Sequence, residues 1–409
     1  MSAAPTSRSF TDDCRAAAAG LRTALAALYA DAKADPAKPQ DVSRRFGLNK
    51  NLTWKIAKIL QSADALEAVP HVPGAEGMRL LIGAMREGGA GAAALDLVVA
   101  RFADFERMTV AHGGDRPTLE LLMDGMARGR ALEVSRKLAF RGNSGVWGLQ
   151  ARVRSMLEVL APNPDDPSKL DSALVGGIHD LRRLRSVQGW PLFRFHRYGV
   201  GAAASAHTPR RLSPIEPPRT ADEPALIMRS FCSPPGAEVH SDTESDGTVV
   251  HRLVDGPIGQ QGAVTLLFGM LEQASVPRYA SSAAEPEYGE MGALVTMPIE
   301  HALIDILVHQ DMLREFRPEL VVYGRPHGSL ELDPAVRENY RLPIEGTIER
   351  FDDLDEVGTE LVHDRPRLIR SVLQAGKWDA DDFTLFRATV QYPPMPSTVM
   401  LRYELPLRP

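Results

Sequence analysis

The spacing of apolar residues changes period part-way along this chain, and that change limits what it can fold into. Through about residue 130 apolar residues recur at three- and four-residue intervals, as on amphipathic helices. After about residue 225 they come in short runs rich in Val, Thr, Phe and Tyr, as in strands. Helices first and strands later argue against a doubly wound sheet. They predict an α+β chain: an all-α helix-turn-helix region at the amino end, a mixed middle and a strand-rich α+β domain at the carboxyl end. Five segments follow: 1–62, a helix-turn-helix region; 63–128, a helical domain; 129–200, a basic mixed segment; 201–224, a Pro- and Ala-rich linker; and 225–409, an acidic strand-rich domain.

The stretch Pro39–Leu60, PQDVSRRFGLNKNLTWKIAKIL, reads as two short helices joined at Gly47. Val42, Phe46, Leu48, Leu52, Ile56, Ile59 and Leu60 give both helices one apolar side. Gly47 suits a left-handed cap, and Asn49 suits the N-cap of the next helix. A helix over Thr11–Ala32, capped by Thr11 or Asp12 and carrying Leu21, Leu25 and Leu28, supplies the support. Residues 38–60 hold six bases (Lys38, Arg44, Arg45, Lys50, Lys55, Lys58) against one acid, Asp41. Lysines and arginines that meet phosphates release condensed counterions. Asn51 and Thr53 are short polar residues near the start of the second helix, where base edges come within reach. The expected double-stranded DNA contacts are therefore Arg44, Arg45, Lys50, Asn51, Thr53, Lys55 and Lys58. Trp54 either lies against a sugar or thymine methyl or packs inside. The bland alternative for the whole stretch is an αα-corner with a solvated basic side.

This stretch resembles the DNA-reading half of bacterial regulators of the IclR and MarR kind. Val42, Phe46, Gly47, Leu48, Thr53, Lys55, Ile56 and Leu60 fall on positions of the phrase x-L-A-x-x-L-G-L-x-x-S-T-V-x-R-x-L-x-x-L common there. The resemblance spans about 22 of 409 residues. It departs after Leu60, where QSADALEAVPHVPGAEGMRLL does not alternate as a wing hairpin would. The resemblance implies a transcriptional regulator that dimerises on two half-sites.

Further helices are expected over Gly77–Glu87, Ala92–Thr109, Thr118–Arg128 (capped by Asp115 or Thr118) and Arg130–Phe140. Leu95, Val98, Val99, Phe102 and Phe105 or Glu106 give a helical stripe on the second of these, read as core packing. Residues 63–73 read as a Pro-containing turn, and 141–148 as a loop or the start of a strand. Arg152–Leu160 and Ala173–Leu184 fit helix or strand, and 188–200 reads as a strand. Beyond the linker, strands are expected over Ala225–Phe231, Thr248–Val254, Ala293–Met297, Glu319–Tyr323, Ile344–Arg350, Phe383–Gln391 and Thr398–Leu405. The last two should pair as a hairpin through YPPMPS. Helices are expected over Pro298–Phe316, capped by Thr296, and Arg365–Gln374, capped by Asp364.

No window approaches 18 uncharged apolar residues, so no membrane span is expected. The amino end has no apolar signal-like stretch. Cys14 and Cys232 are too few for a disulfide framework or a cysteine-only zinc site, which fits a reducing cytoplasm. Charge is strongly segregated: 15 bases and 15 acids in 1–127, 16 and 7 in 128–219, 16 and 31 in 220–409. Between Arg182 and Arg211 there are seven arginines, no acid, and interleaved Trp190, Phe193, Phe195 and Tyr198. Arg182, Arg183, Arg185, Arg194 and Arg197 are thus a second candidate phosphate surface, or a face that docks on the acidic domain.

Catalytic motifs are sparse. His301, Asp305 and His309 stand at i, i+4 and i+8 of an expected helix and make a weak metal set, since the outer two lie about 12 Å apart along its axis. DTESDG (242–247) begins like a calcium loop but has Leu253 where a glutamate is needed. GNSG (142–145) lacks the nucleophile-turn spacing. No cofactor is implied. The leading expectation is a cytoplasmic, sequence-specific DNA-binding transcriptional regulator. Its carboxyl-terminal domain would sense a small-molecule effector or join two copies. The alternatives are a protein-interaction scaffold and an enzyme with a metal-dependent carboxyl-terminal site.

Overall fold

The structure, a computed structural model, describes residues 9–126, 130–187, 189–195, 212–219, 226–234, 239–245, 249–284, 286–325 and 334–408. The chain divides into two compact units, 1–127 and 128–409.

The first unit is helical: α1 (Phe10–Asp31), α2 (Pro39–Phe46), α3 (Lys50–Gln61), α4 (Ala65–Ala68), α5 (Ala75–Glu87), α6 (Ala92–His112) and α7 (Arg116–Met126). The expected helices are present: α1 is shifted by one residue, α5 and α7 start two residues earlier, α6 ends three residues later, and the expected end of α7 at 127–128 lies outside the described residues. Ser9 rather than Thr11 or Asp12 caps α1, its hydroxyl accepting from the Asp12 amide at 3.2 Å. Asp115 caps the start of α7 through the Thr118 amide. Residues 63–73 hold α4 and a 3-10 turn, and α5 follows, so no wing hairpin follows α3. Cys14, Leu21, Leu25 and Leu28 of α1 share one core with Leu52, Ile56 and Ile59 of α3 and Leu95, Val98 and Phe105 of α6. Val99 is exposed and does not belong to that core, because it sits one residue round the helix from Val98.

The second unit opens with α8 (Arg130–Trp147), which absorbs the expected loop at 141–148 almost entirely. Then come β1 (Leu149–Pro162), β2 (Lys169–Arg183), β3 (Pro191–Phe195), β4 (Leu212–Pro214), β5 (Val239–Thr243), β6 (Val249–Leu253), β7 (Val264–Pro277), β8 (Tyr288–Val295), β9 (Ile299–His309), β10 (Glu319–Tyr323), α9 (Pro334–Glu338), β11 (Thr347–Phe351), α10 (Arg365–Gly376), β12 (Phe383–Gln391) and β13 (Ser397–Glu404). With the helical first unit, these make the chain α+β. The main sheet runs β11-β12-β9-β1-β2-β7-β4 and is antiparallel except where β1 lies parallel to β9. Two three-stranded sheets, β10-β13-β8 and β3-β6-β5, complete the unit.

The two faces of the main sheet bury different things, because side chains alternate along each strand. Ile304, Ile306, Phe268 and Phe386 share a core with Met291, Val322, Leu401 and Tyr403 of the β10-β13-β8 sheet. Leu157, Val159, Val175 and Leu307 lie in another core under Leu368, Ile369, Val372 and Leu373 of α10. Asp305 lies in that second layer, 0% exposed. Arg365 Nε donates to its Oδ2 at 2.8 Å, Arg387 Nε to its Oδ1 at 2.8 Å, and Arg387 Nη2 to its Oδ2 at 3.0 Å. Two buried cations thus meet one buried anion. The Met156 carbonyl accepts from Arg365 Nη2, and the Val357 and Gly358 carbonyls accept from Arg387, at 2.9–3.3 Å.

Several expectations are corrected here. Pro298–Phe316 is not a helix: β9 and a 3-10 turn (Gln310–Met312) occupy it. A central strand buried on both faces reads as a continuous apolar run, which matches helix and strand periods equally. Ala225–Phe231 is not a strand. Among its described residues are an isolated bridge from Ile227 to Phe268 and a 3-10 turn (Arg229–Phe231). β12 and β13 do not form a hairpin: Tyr392–Pro396 carries the chain from the main sheet to the β10-β13-β8 sheet. The linker is partly structured, since β4 pairs with β7 and Ile215 is buried. Residues 201–211 and 220–224, together with Asp246 and Gly247 of the acidic turn, lie outside the described residues. Asp364 stands at the N-cap of α10 with φ 59° but makes no capping bond.

Asp305→Asn should cost the second unit about 3–5 kcal/mol in denaturant unfolding, because two guanidiniums lose their buried counter-charge. Burial pushes the Asp305 carboxyl up, but Arg365 and Arg387 outweigh it and hold it below its ordinary value. Its contribution is therefore fully present above an unfolded-state pKa of about 3.9 and is lost as pH falls below that. The substituted protein should lose that part of the acid dependence.

Candidate nucleic-acid interface

The turn between α2 and α3 is fixed by three local devices. Gly47 takes φ 62°, a conformation that strains residues with a Cβ. The amides of Gly47 and Leu48 both reach the Ser43 carbonyl, the latter at 3.0 Å, and the buried Ser43 hydroxyl donates to the Leu48 carbonyl at 2.6 Å. Asn49 Oδ1 accepts from the Asn51 amide at 2.8 Å and starts α3. The Gly47 and Asn49 roles match the sequence expectation. Ser43 was not foreseen, since a serine inside an eight-residue helix carries no sequence signal of its own.

With the turn fixed, burial fixes the rotation of α3. Leu52, Thr53, Ile56, Ala57 and Ile59 face inward, and Lys50, Asn51, Trp54, Lys55 and Lys58 face outward. The outward set follows helical spacing and forms one continuous face. Thr53 must be removed from the expected base readers: it is 1% exposed and its hydroxyl donates to the Lys50 carbonyl at 3.1 Å. Trp54 does not pack inside. It is 49% exposed, with its ring 5.7 Å from His71 edge-to-face and the Lys58 ammonium 5.6 Å from its centroid.

This face carries uncompensated positive charge. The sequence has no acid between Asp41 and Asp64, Asp41 pairs with Arg44 at 3.3 Å, and Asp64 pairs with Arg15 at 3.5 Å. His71 registers the field: burial first, then Lys58 and Lys55, hold its imidazole below the ordinary value. Arg44 is exposed at the end of α2. Arg45 is exposed but tied down, donating to the Lys33 carbonyl at 2.8 Å and stacking over Phe46.

The second basic candidate does not form one open surface. Arg183 is buried and donates to the Val254 carbonyl, and Arg185 donates to the Val146 carbonyl at 2.6 Å. Arg194 pairs with Glu244 at 2.7 Å, Arg182 is half-buried, and Arg197 lies outside the described residues. Successive residues of β2 point to opposite faces, which splits Arg182 from Arg183.

The metal set also fails. On a strand, His301 and His309 are about 26 Å apart, and Asp305 between them is taken by two guanidiniums. Among the described residues, no group of three or more His, Cys, Asp or Glu is placed to hold a metal.

The sheet register brings together a buried pair that the sequence did not suggest. Ser155 of β1 and His179 of β2 meet at 2.8 Å, oxygen to Nε2, in space left by Gly177. Burial first, then Arg365 and Arg154, push His179 down to about 3, so it stays neutral at pH 7. His179 lines a cleft of about 440 Å³ with Arg152, Asp180, Thr265, Glu360 and Asp364. Asp180 and Asp364 both have positive φ, 51° and 59°. The only local signal was the Gly176–Gly177 pair inside a strand.

No protein-family model matches this chain, and no curated protein matches it. One solved structure, of a presumed protease from Parabacteroides distasonis, aligns at 10% identity with a TM-score of 0.25. It covers 62% of this chain, which spans 40% of that protein's length. Similarity at that level carries no argument about chemistry or fold.

Ser43→Ala should cost the first unit about 1–2 kcal/mol in thermal or denaturant unfolding, by leaving a buried carbonyl without its donor. Gly47→Ala should cost a similar amount, about 1–2 kcal/mol, through the left-handed backbone.

Proposed function

We propose that this chain is a sequence-specific DNA-binding transcriptional regulator that reads the major groove with α3. One observation carries the reading: Lys50, Asn51, Lys55 and Lys58 share an outward face with no acid to pair with, on a helix held by a short turn and seated on its own core. In a helix-turn-helix the second helix enters the groove while its neighbours meet the backbone. Lys50, Lys55 and Lys58 would take phosphates, with Arg44 at the flank. Asn51 would take a base edge, where an amide pairs bidentately with adenine.

The second unit would carry the regulatory part. Its cleft, with hydroxyl, carboxylate, guanidinium and neutral imidazole groups, suits a small polar effector. Two copies would place two reading helices about 34 Å apart on a palindromic site. Cys14 and Cys232 are both buried and free. Among the described residues no helix is long and apolar enough to cross a membrane. A cytoplasmic protein is the reading these features support.

The test is a mobility shift with genomic fragments, followed by anisotropy titrations over a range of salt. Affinity should fall steeply with salt, by roughly 0.9 log units per tenfold salt increase for each phosphate contact. Replacing Lys50, Lys55 and Lys58 together with glutamate should abolish binding, while replacing one with glutamine should flatten the slope by about one contact. Binding that ignores salt, or that survives the triple replacement, would contradict the proposal.

A further inference from the structure

We propose that Trp54 is the thymine-reading residue of α3, its indole packing against the C5-methyl group in the major groove. The inference rests on the DNA-binding reading and goes beyond it by assigning a base preference to one side chain.

Position comes first. Trp54 is one turn beyond Lys50 and adjoins Lys55, with Asn51 and Lys58 on the same outward face. A duplex seated on those four side chains would meet the indole as well. Exposure comes second. Leaving half of the largest apolar side chain in water, on a face otherwise of lysine and asparagine, forgoes burial that the core beneath offers to Ile56 and Ile59. A partner surface that covers the ring recovers that burial.

The ring is also held in place. His71 meets it edge-to-face at an interplanar angle of 78°, and the Lys58 ammonium lies over it. Holding the indole in one orientation lowers the entropy lost on binding. Chemistry then selects the target. Of the four bases, thymine alone presents a methyl group in the major groove, and apolar side chains read it by contact. The lysines around the ring favour phosphate on either side of that contact, which argues for DNA over an apolar protein groove as the occupant.

The test uses the full chain, a site selected from random duplexes, and copies of that site with each thymine replaced singly by uracil. Uracil pairs as thymine does but lacks the methyl. For at least one thymine, replacement should weaken wild-type binding about four-fold, the effect of one buried methyl. The same replacement should leave the affinity of Trp54→Ala unchanged, and that variant should keep the wild-type salt dependence. Trp54→Leu, an exposed and apolar replacement, should restore part of the uracil effect and guards against misfolding of the alanine variant. If no thymine matters to wild type, or if uracil weakens wild type and Trp54→Ala equally, the thymine assignment is wrong while DNA binding stands. If wild type selects no duplex, the DNA-binding reading itself fails and takes this assignment with it.

Discussion

A helix in a small core can offer a partner only the face it does not bury. In α3 that choice is made by Leu52, Thr53, Ile56, Ala57 and Ile59, which turn inward together. Their packing against α1, α2 and α4 fixes the helix rotation, so Lys50, Asn51, Trp54, Lys55 and Lys58 have no freedom to face elsewhere. The Ser43–Leu48 bonds and the left-handed Gly47 set where α3 begins. Shifting the helix start by one residue would rotate the face by about 100° and bury a lysine. The surface chemistry therefore follows from the core.

The second unit shows the opposite design: its most constrained polar group is hidden. Asp305 binds Arg365 of the covering helix to Arg387 of the neighbouring strand, beneath the apolar layer that α10 completes. Such a contact contributes little net stability compared with an apolar core of the same shape, but it admits few alternative packings. The cleft with His179, Asp180 and Asp364 lies beside this layer, with Arg365 immediately after Asp364 and its charge acting on His179. A ligand there would bear on the start of α10.

Local chemistry was legible in the sequence. The Gly47 turn, the Asn49 cap, the basic face of α3 and most strand positions could be read from residue type and spacing. Thr53 was misread although its neighbours held the clue, since it lies three and four residues before Ile56 and Ala57 on the buried side. β9 was misread because burial on both faces erased the alternation that marks a strand. Ser155 with His179 and Asp305 with Arg365 and Arg387 were invisible. They are separated by 24, 60 and 82 residues and meet only through sheet register or, for Arg365, through the packing of α10 on the sheet. The basic run after Arg182 looked like one surface because composition does not show that alternate side chains part company.

The central claim is that the outward face of α3 lies against DNA. Lysine footprinting on the full chain with an amine-reactive reagent, with and without a selected duplex, tests it most directly. The account predicts that DNA protects Lys50, Lys55 and Lys58 and leaves Lys169 and Lys377 of the second unit as reactive as before. Equal reactivity of those three lysines in the bound and free protein, under conditions where the duplex is held, would contradict it.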